Sequence, residues 1–257
     1  MSKQLLIYER VAPLSAEQHG NWSVRMDGTY GFAKGINSVP LLAAEFTAAA
    51  ADLPIIFAGE GENVFPAALL GFGPEENLMV DAEGRWRQGY VPAFLRRYPF
   101  VFSESEDGAT FTLCIDEEFE GLNTDGLGER LFDSAGNRTQ FLENTLGFVS
   151  QYQAQFNRTR QFCARLVRLG ALKPAQARRG TADGQSVTLG GFSIIDRAKL
   201  KEIGDAELRE MFDTDELEMS FVHLQSLANI QRLGQLASPA ATAEAPAIDT
   251  VEEATGD

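Results

Sequence analysis

Residues 141–170 read FLENTLGFVSQYQAQFNRTRQFCARLVRLG, and this stretch indicates the fold class most directly. Its apolar side chains recur at intervals of mostly three and four residues, which is the spacing of one face of an α-helix. Asn137 and Gln140 can cap the start of that helix, and Gly170 can end it. The pattern predicts one amphipathic helix of roughly thirty residues, about 45 Å long at about 1.5 Å per residue.

The sequence before this helix is divided into short apolar runs by glycine, proline and acidic turns. Phe100–Ser103 and Thr110–Ile115 predict a β-hairpin, because Asp107-Gly108 between them is a strong turn dipeptide. Residues 39–51 (VPLLAAEFTAAAA) are rich in alanine and predict a helix. The first half is therefore expected to be mainly strands with one helical interruption.

The sequence after the long helix returns to strand character and then to helices. Ser186–Ile195 predicts a strand that rejoins the sheet of the first half. Asp196 and Asp205 are expected to cap short helices, and Asp213 to open a last long one. Together these elements predict a single α+β domain over residues 1–236, in which a mainly antiparallel sheet from the N-terminal half packs against the long helix and the C-terminal helices.

The composition changes at the end of the chain. Residues 238–257 consist mainly of alanine, proline, threonine and acidic residues, without lysine or arginine. Such a segment buries too little apolar area to offset its chain entropy. Residues 237–257 are therefore expected to form a disordered acidic tail, whose role as a solvating or as a partner-binding segment stays open.

Charge and hydropathy restrict the partners. The 257 residues carry a net charge of -15, which disfavours binding to nucleic acid and to anionic membranes, because both rely on lysine and arginine. Neither a signal peptide nor a transmembrane helix is predicted. The expectation is a cytoplasmic protein whose partner is another protein or a small molecule, with export by a signal-independent route left open.

The residues that usually carry chemistry are few. The 2 histidines, His19 and His223, lack any metal-ligand spacing, and a hydrogen-bonded structural role is favoured for each. Cys114 and Cys163 fall in apolar runs, which predicts two buried reduced thiols. No phosphate-binding loop or serine-nucleophile motif is present. The sequence therefore predicts no metal, no cofactor and no catalytic residue.

The segment Trp86–Phe100 (WRQGYVPAFLRRYPF) is the strongest candidate for binding. Arg96 and Arg97 could hold an anion bidentately beside the aromatic rings. They could instead form a fixed ion pair with Glu45 or Asp116, and this structural interpretation is favoured. Adjacent helical residues point about 100° apart, so one arginine can face inward and the other outward. The candidate ligand- or anion-binding residues are Trp86, Tyr90, Arg96, Arg97, His19 and His223.

Several blocks of sequence are distinctive, and they include Leu53–Phe57 (LPIIF), Tyr90–Phe100 (YVPAFLRRYPF), Leu131–Asn137 (LFDSAGN), Phe162–Pro174 (FCARLVRLGALKP) and His223–Leu233 (HLQSLANIQRL). Through these blocks the chain resembles, over residues 5–236, the SapC family, named for a protein associated with bacterial surface (S-) layers. The block YVPAFLRRYPF is the most specific.

The resemblance implies a function class but no reaction. The genes of SapC-family members accompany genes for outer-membrane receptors and uptake systems. The resemblance therefore implies a non-enzymatic binding or accessory protein of bacterial cell-envelope or nutrient-uptake systems. One alternative is an enzyme, or an enzyme subunit, acting on a small molecule or peptide in a pocket near Trp86–Phe100. The other alternative is a structural S-layer component. No catalytic residues are implied for this chain.

Overall fold

The computed structural model describes residues 6–105, 110–180, 185–237 and 247–250, and it has the predicted α+β fold. The strands are β1 (Val11–Pro13), β2 (Ser23–Val24), β3 (Ser38–Pro40), β4 (Ile55–Ala58), β5 (Phe65–Leu69), β6 (Phe100–Glu104), β7 (Phe111–Asp116), β8 (Leu122–Asn123), β9 (Glu129–Arg130), β10 (Leu172–Gly180), β11 (Ser186–Ile195) and β12 (Ala247–Thr250). The α-helices are α1 (Ala16–His19), α2 (Phe46–Ala49), α3 (Ala93–Arg96), α4 (Gln140–Arg168), α5 (Arg197–Lys201), α6 (Asp205–Asp213), α7 (Glu216–Ser226) and α8 (Asn229–Ala237).

The contacts divide the chain into two compact units, each built from two separate segments. Met1–Tyr30 and Ala93–Ala154 form the first unit, and Gly31–Pro92 and Gln155–Asp257 form the second. Helix α4, the predicted long helix, contributes its N-terminal half to the first unit and its C-terminal half to the second. That residues 1–236 fold as one domain stays a prediction, which a single cooperative unfolding transition would test.

The first unit contains two three-stranded sheets, in the orders β1-β7-β6 and β8-β2-β9. Strands β6 and β7 pair antiparallel from Phe100↔Ile115 to Glu104↔Phe111, which confirms the predicted hairpin. Its expected turn at Asp107-Gly108 lies outside the described residues. The buried core of this unit is apolar and combines strand and helix residues. It consists of Val24, Phe100, Leu113, Ile115, Leu131, Phe132, Leu142 and Val149.

The second unit contains a six-stranded antiparallel sheet in the order β12-β10-β11-β4-β5-β3. Strand β11 pairs with β4 through Phe192↔Ala58 and Ser193↔Phe57, so the prediction that it rejoins strands of the first half is confirmed. The ring of Phe57 contacts the rings of Phe162 from α4 and His223 from α7. These contacts pack the long helix and a C-terminal helix against the sheet, as predicted.

The expectation of a helix over residues 39–51 is confirmed only for the middle of that range. Ser38–Pro40 forms β3 and pairs with β5, and only Phe46–Ala49 is α-helical. The Glu45 carboxylate accepts a hydrogen bond from the backbone N–H of Leu42 at 2.8 Å, which closes a short 3-10 turn before the helix. Strand pairing takes up Val39 and Pro40, whereas the alanine-rich part of the sequence does form helical turns over residues 43–49.

The expectation of one long last helix from Asp213 is also corrected. Helix α6 ends at Asp213, and Asp215 precedes α7 with a left-handed φ of 64°. Helix α8 begins at Asn229, whose side-chain amide donates to the carbonyl oxygens of Ala50 and Leu53. These contacts with a distant loop hold the break between α7 and α8.

The structure differs from the expected tail at four residues. Ala247–Thr250 is not disordered but forms β12, which pairs antiparallel with residues 175–178 of β10. The edge of β10 offers main-chain hydrogen-bond partners, which an argument from composition does not count. Residues 238–246 and 251–257 lie outside the described part of the chain.

Candidate functional site

The predicted site residues belong to different units. His19, Arg96 and Arg97 lie in the first unit, and Trp86, Tyr90 and His223 lie in the second.

Arg97 is enclosed by aromatic rings. It follows the short helix α3, and its side chain is only 2% exposed. Its guanidinium carbon lies 5.7 Å from the ring centre of Tyr8, 4.8 Å from that of Phe94 and 4.4 Å from that of Tyr152. A cation held over several ring faces is stabilised by their quadrupoles, and more so when water is absent. Arg97 thus joins the N-terminal segment, α3 and α4 of the first unit.

Arg96 has the opposite environment. It is exposed, and its guanidinium lies over the ring of Phe148 at 5.3 Å. The prediction that one arginine of the pair faces inward and the other outward is confirmed. The predicted ion pair with Glu45 or Asp116 stays a prediction.

Asp116 organises the backbone beside this aromatic cluster. Its carboxylate is fully buried and accepts hydrogen bonds from the backbone N–H groups of Glu9 and Arg10, both at 2.9 Å. The hydroxyl of Tyr98 donates to the same carboxylate at 3.2 Å. Burial raises the pKa of Tyr98, and the neighbouring Asp116 charge raises it further. The phenol therefore stays a hydrogen-bond donor, and the contact is structural.

His19 ends the short helix α1 and is fully buried. Its Nε2 lies 3.1 Å from Oε1 of Glu117, and its ring packs edge-on against Trp22 with ring centres 4.8 Å apart. Nδ1 lies near the backbone of Ser15, the N-cap residue of the same helix. This is the hydrogen-bonded structural histidine that the sequence analysis favoured.

Tyr90 and Trp86 lie on the loop before α3. The Tyr90 hydroxyl donates to Oε1 of Glu45 at 2.8 Å, and its backbone N–H donates to Oδ2 of Asp52 at 3.2 Å. Trp86 is half-buried and forms an isolated antiparallel bridge with Val80. Both residues brace the loop against other parts of the second unit.

His223 is a buried histidine without good polar contacts. It is fully buried on α7, and its ring centre lies 5.0 Å from that of Phe57. Among the described residues, neither ring nitrogen has a hydrogen bond of good geometry. Burial lowers its pKa from 6.5 to about 3, and the nearby backbone of Ile55 opposes this shift. The ring is therefore neutral at physiological pH and sealed from solvent.

Arg165 of α4 binds three carboxylates in the second unit. Its nitrogens lie 2.8 Å from Glu207, 2.6 Å from Glu210 and 2.7 Å from Glu216. The contact with Glu216 is an ion pair rather than an aligned hydrogen bond. Burial raises the pKa of Glu216, and the charge of Arg165 opposes that rise. The network fastens α6 and α7 to α4.

Both cysteines are buried and free, as predicted. Burial raises the pKa of Cys163 to about 12, with a smaller contribution from Glu216. Burial also raises the pKa of Cys114. Both side chains are therefore protonated thiols at neutral pH. Among the described residues, no group of three or more histidines, cysteines or carboxylates is placed to hold a metal ion.

A groove of about 690 Å³ runs along the outer face of α4 in the second unit. No pattern in the sequence predicts this groove. Four of its polar side chains have no hydrogen-bond or ion-pair partner among the residues that the structure describes: Glu62, Asn157, Arg160 and Gln161. The other lining residues are Gly61, Ala164, Val167 and Arg168. The helical pattern did predict an outward face of α4, but it contained no signal that residues 61–62 would form the opposite wall.

The comparison with protein families gives one result. A family model described as SapC matches residues 14–233, most of the chain. The chain belongs to the SapC family. No curated protein and no solved structure matches this SapC-family chain. The family resemblance noted in the sequence is thereby confirmed. Within the described residues, no helix of this SapC-family protein is long and apolar enough to cross a bilayer.

Proposed function

We propose that this SapC-family protein is a non-enzymatic binding or accessory protein of bacterial cell-envelope or nutrient-uptake systems, and that the α4 groove is its partner-binding surface. One observation carries the proposal. The groove combines an open volume of about 690 Å³ with four polar side chains that have no partner among the described residues. Unused hydrogen-bonding groups that converge on one concave surface are what a binding site requires.

The environment of the histidines supports a binding role over an enzymatic one. Histidine is the side chain whose ordinary pKa suits general acid–base catalysis near neutral pH. The chain has 2 histidines, and both are fully buried. His19 is held by Ser15 and Glu117, and the pKa of His223 is lowered to about 3. Neither ring is available to exchange protons with a substrate in solution.

The aromatic enclosure of Arg97 supports the structural interpretation of the Arg96-Arg97 pair. An anion that reached Arg97 would have to enter between the rings of Tyr8, Phe94 and Tyr152. Arg97 is only 2% exposed, so this entry would require part of the cluster to open. Arg97 is therefore assigned to the fold.

The net charge of -15 favours a protein or small-molecule partner over nucleic acid. A cytoplasmic location is part of the proposal. Cell fractionation with an antibody against the native protein would test it.

The test is a gentle affinity capture from native lysate, followed by mass spectrometry of the eluate. Arg160→Glu reverses the unpartnered charge of the groove. Arg197→Glu is the matched control, because Arg197 is exposed on α5 and has no partner among the described residues. A stoichiometric protein that the wild type and Arg197→Glu retain, and Arg160→Glu loses, supports the proposal. Equal retention by all three contradicts the role of the groove.

Two other results would favour the alternatives. A bound small molecule that leaves chemically altered, with no protein partner, would favour an enzyme acting near Trp86–Phe100. Self-assembly of the purified protein into ordered arrays would favour a structural S-layer component. A protein that stays monomeric at high concentration would exclude that second alternative.

A further inference from the structure

The groove-lining residues of α4 form one stripe along the helix. Asn157, Gln161, Ala164 and Arg168 are spaced by four, three and four residues, so they lie on the same face, and Arg160 flanks them. Arg160 and Arg168 are eight positions apart, which corresponds to about 12 Å along the helix axis at about 1.5 Å per residue. The groove therefore presents two cations at a defined separation.

The two cations differ in availability. Arg168 lies 2.6 Å from Glu207 but remains 59% exposed, so it can contact a further carboxylate. Arg160 has no partner among the described residues. Between them lie two exposed apolar side chains, Ala164 and Val167 (37% exposed), beside the polar side chain of Gln161. The stripe thus offers a charge, an apolar patch and a second charge.

The opposite wall limits what can bind. Glu62 lines the groove with a negative charge of its own, and the whole chain is strongly acidic. A continuous polyanion would be repelled by both. A ligand with separated carboxylates and small apolar side chains between them matches the groove better.

Asn157 and Gln161 indicate the conformation of the ligand. A side-chain amide offers both donors and an acceptor, and these match the N–H and C=O groups of an extended main chain. In a helix the same main-chain groups are already paired internally. The two amides therefore favour an extended segment.

We infer that the α4 groove binds an extended acidic segment of a partner protein, with two carboxylates four residues apart, and so on the same face of the extended chain, and a small aliphatic residue between them. An extended chain advances about 3.3 Å per residue, so a span of about 12 Å corresponds to that spacing. The inference rests on the proposed binding function and adds the chemistry of the partner.

The test uses the full chain and a fluorescent probe peptide, acetyl-Gly-Glu-Ala-Val-Ala-Glu-Gly-amide, in fluorescence anisotropy at low salt. The control peptide has glutamine at both glutamate positions. We expect saturable binding of the probe, and binding at least about ten-fold weaker for the control peptide and for Arg160→Glu. Arg197→Glu should bind like the wild type. Glu62→Gln should bind about two-fold more tightly or better, because it removes a repulsive charge.

Three results would overturn the inference. The first is no saturation by the probe up to about 1 mM, a limit that corresponds to a binding free energy of about -4 kcal/mol. The second is equal affinity of wild type and Arg160→Glu. The third is that the double variant Glu252→Gln/Glu253→Gln binds the probe much more tightly than the wild type does. That result would indicate that the acidic end of this chain, and not a partner protein, occupies the groove.

The inference and the proposed function can fail separately. If lysate capture yields a partner that depends on Arg160 while the probe does not bind, the binding function stands and the acidic-segment chemistry is wrong. If Arg160→Glu changes neither capture nor probe binding, the groove has no role in either.

Discussion

Arg97 in the first unit and Arg160 in the second are both helix-associated arginines, but their environments are opposite. Arg97 is 2% exposed and lies against three aromatic rings. Arg160 is exposed in a groove and has no partner among the described residues. Burial turns the first guanidinium into a structural element, whereas the second keeps its charge available to a ligand. The comparison shows that the environment, and not the residue type, separates a stability residue from a candidate binding residue.

The largest expected effect is at Arg97. Arg97→Ala removes three ring contacts and leaves a cavity, so the free energy of unfolding should fall by about 3–4 kcal/mol. The measurement is urea unfolding followed by circular dichroism. Arg96→Ala is the matched control, because Arg96 is exposed and lies over one ring only. It should cost about 0.5 kcal/mol or less. Equal losses for the two variants would break the comparison.

A second test concerns how the free energy of unfolding depends on pH through the buried His223. The pKa of His223 is lowered to about 3 in the folded state, whereas it is near 6.5 when unfolded. Between these values the unfolded chain binds a proton that the folded chain does not, so stability falls as the pH falls below 6.5. From about pH 7 to about pH 4.5 this term should remove roughly 2–3 kcal/mol.

His223→Phe isolates that term, because it keeps a ring beside Phe57 but does not titrate. Its free energy of unfolding should fall less over the same pH range than that of the wild type. Identical pH profiles would mean that His223 is not buried as a neutral ring in solution.

In exposure, Arg165 is intermediate between Arg97 and Arg160, because its side chain is 15% exposed. Arg165→Met keeps the aliphatic stem but leaves Glu207, Glu210 and Glu216 close together without their shared cation. The loss of stability should be about 2 kcal/mol at neutral pH. It should shrink as the pH falls, because the carboxylates then take up protons and their repulsion decreases.

Arg168→Met is the control for that experiment. Arg168 is 59% exposed and contacts one of the same carboxylates, so its loss should cost clearly less stability than the loss of Arg165. If the stability loss of Arg165→Met became larger at lower pH, repulsion between the carboxylates could not be its cause.

The smallest expected effect on stability is at Arg160. Arg160→Glu should change the free energy of unfolding by about 0.5 kcal/mol or less, because no described residue depends on Arg160. Thermal unfolding of wild type and Arg160→Glu side by side is sufficient. A large loss would mean that Arg160 supports the fold, and its effect on binding would then need another explanation.

Only part of the candidate site could be predicted from the sequence. The opposed directions of Arg96 and Arg97 and the buried state of both cysteines followed from local patterns. The groove did not, because Glu62 and Arg160 are far apart along the chain and only the fold brings them to one surface. The helix expected over residues 39–51 is shorter than predicted for a related reason, since Val39 and Pro40 belong to β3, whose pairing with β5 depends on a distant strand.

Local periodicity was enough to predict α4, the β6–β7 hairpin, the strand β11 and the α+β class, because helices and strands impose repeats of about 3.6 and 2 residues on the burial of neighbouring side chains. Only the tertiary structure decided that Tyr8 and Tyr152 close around Arg97, that residues 61–62 face α4, and that β12 lies along β10. Those contacts join residues that are remote in sequence. Burial and free hydrogen-bonding groups are properties of such contacts, and no local pattern encodes them.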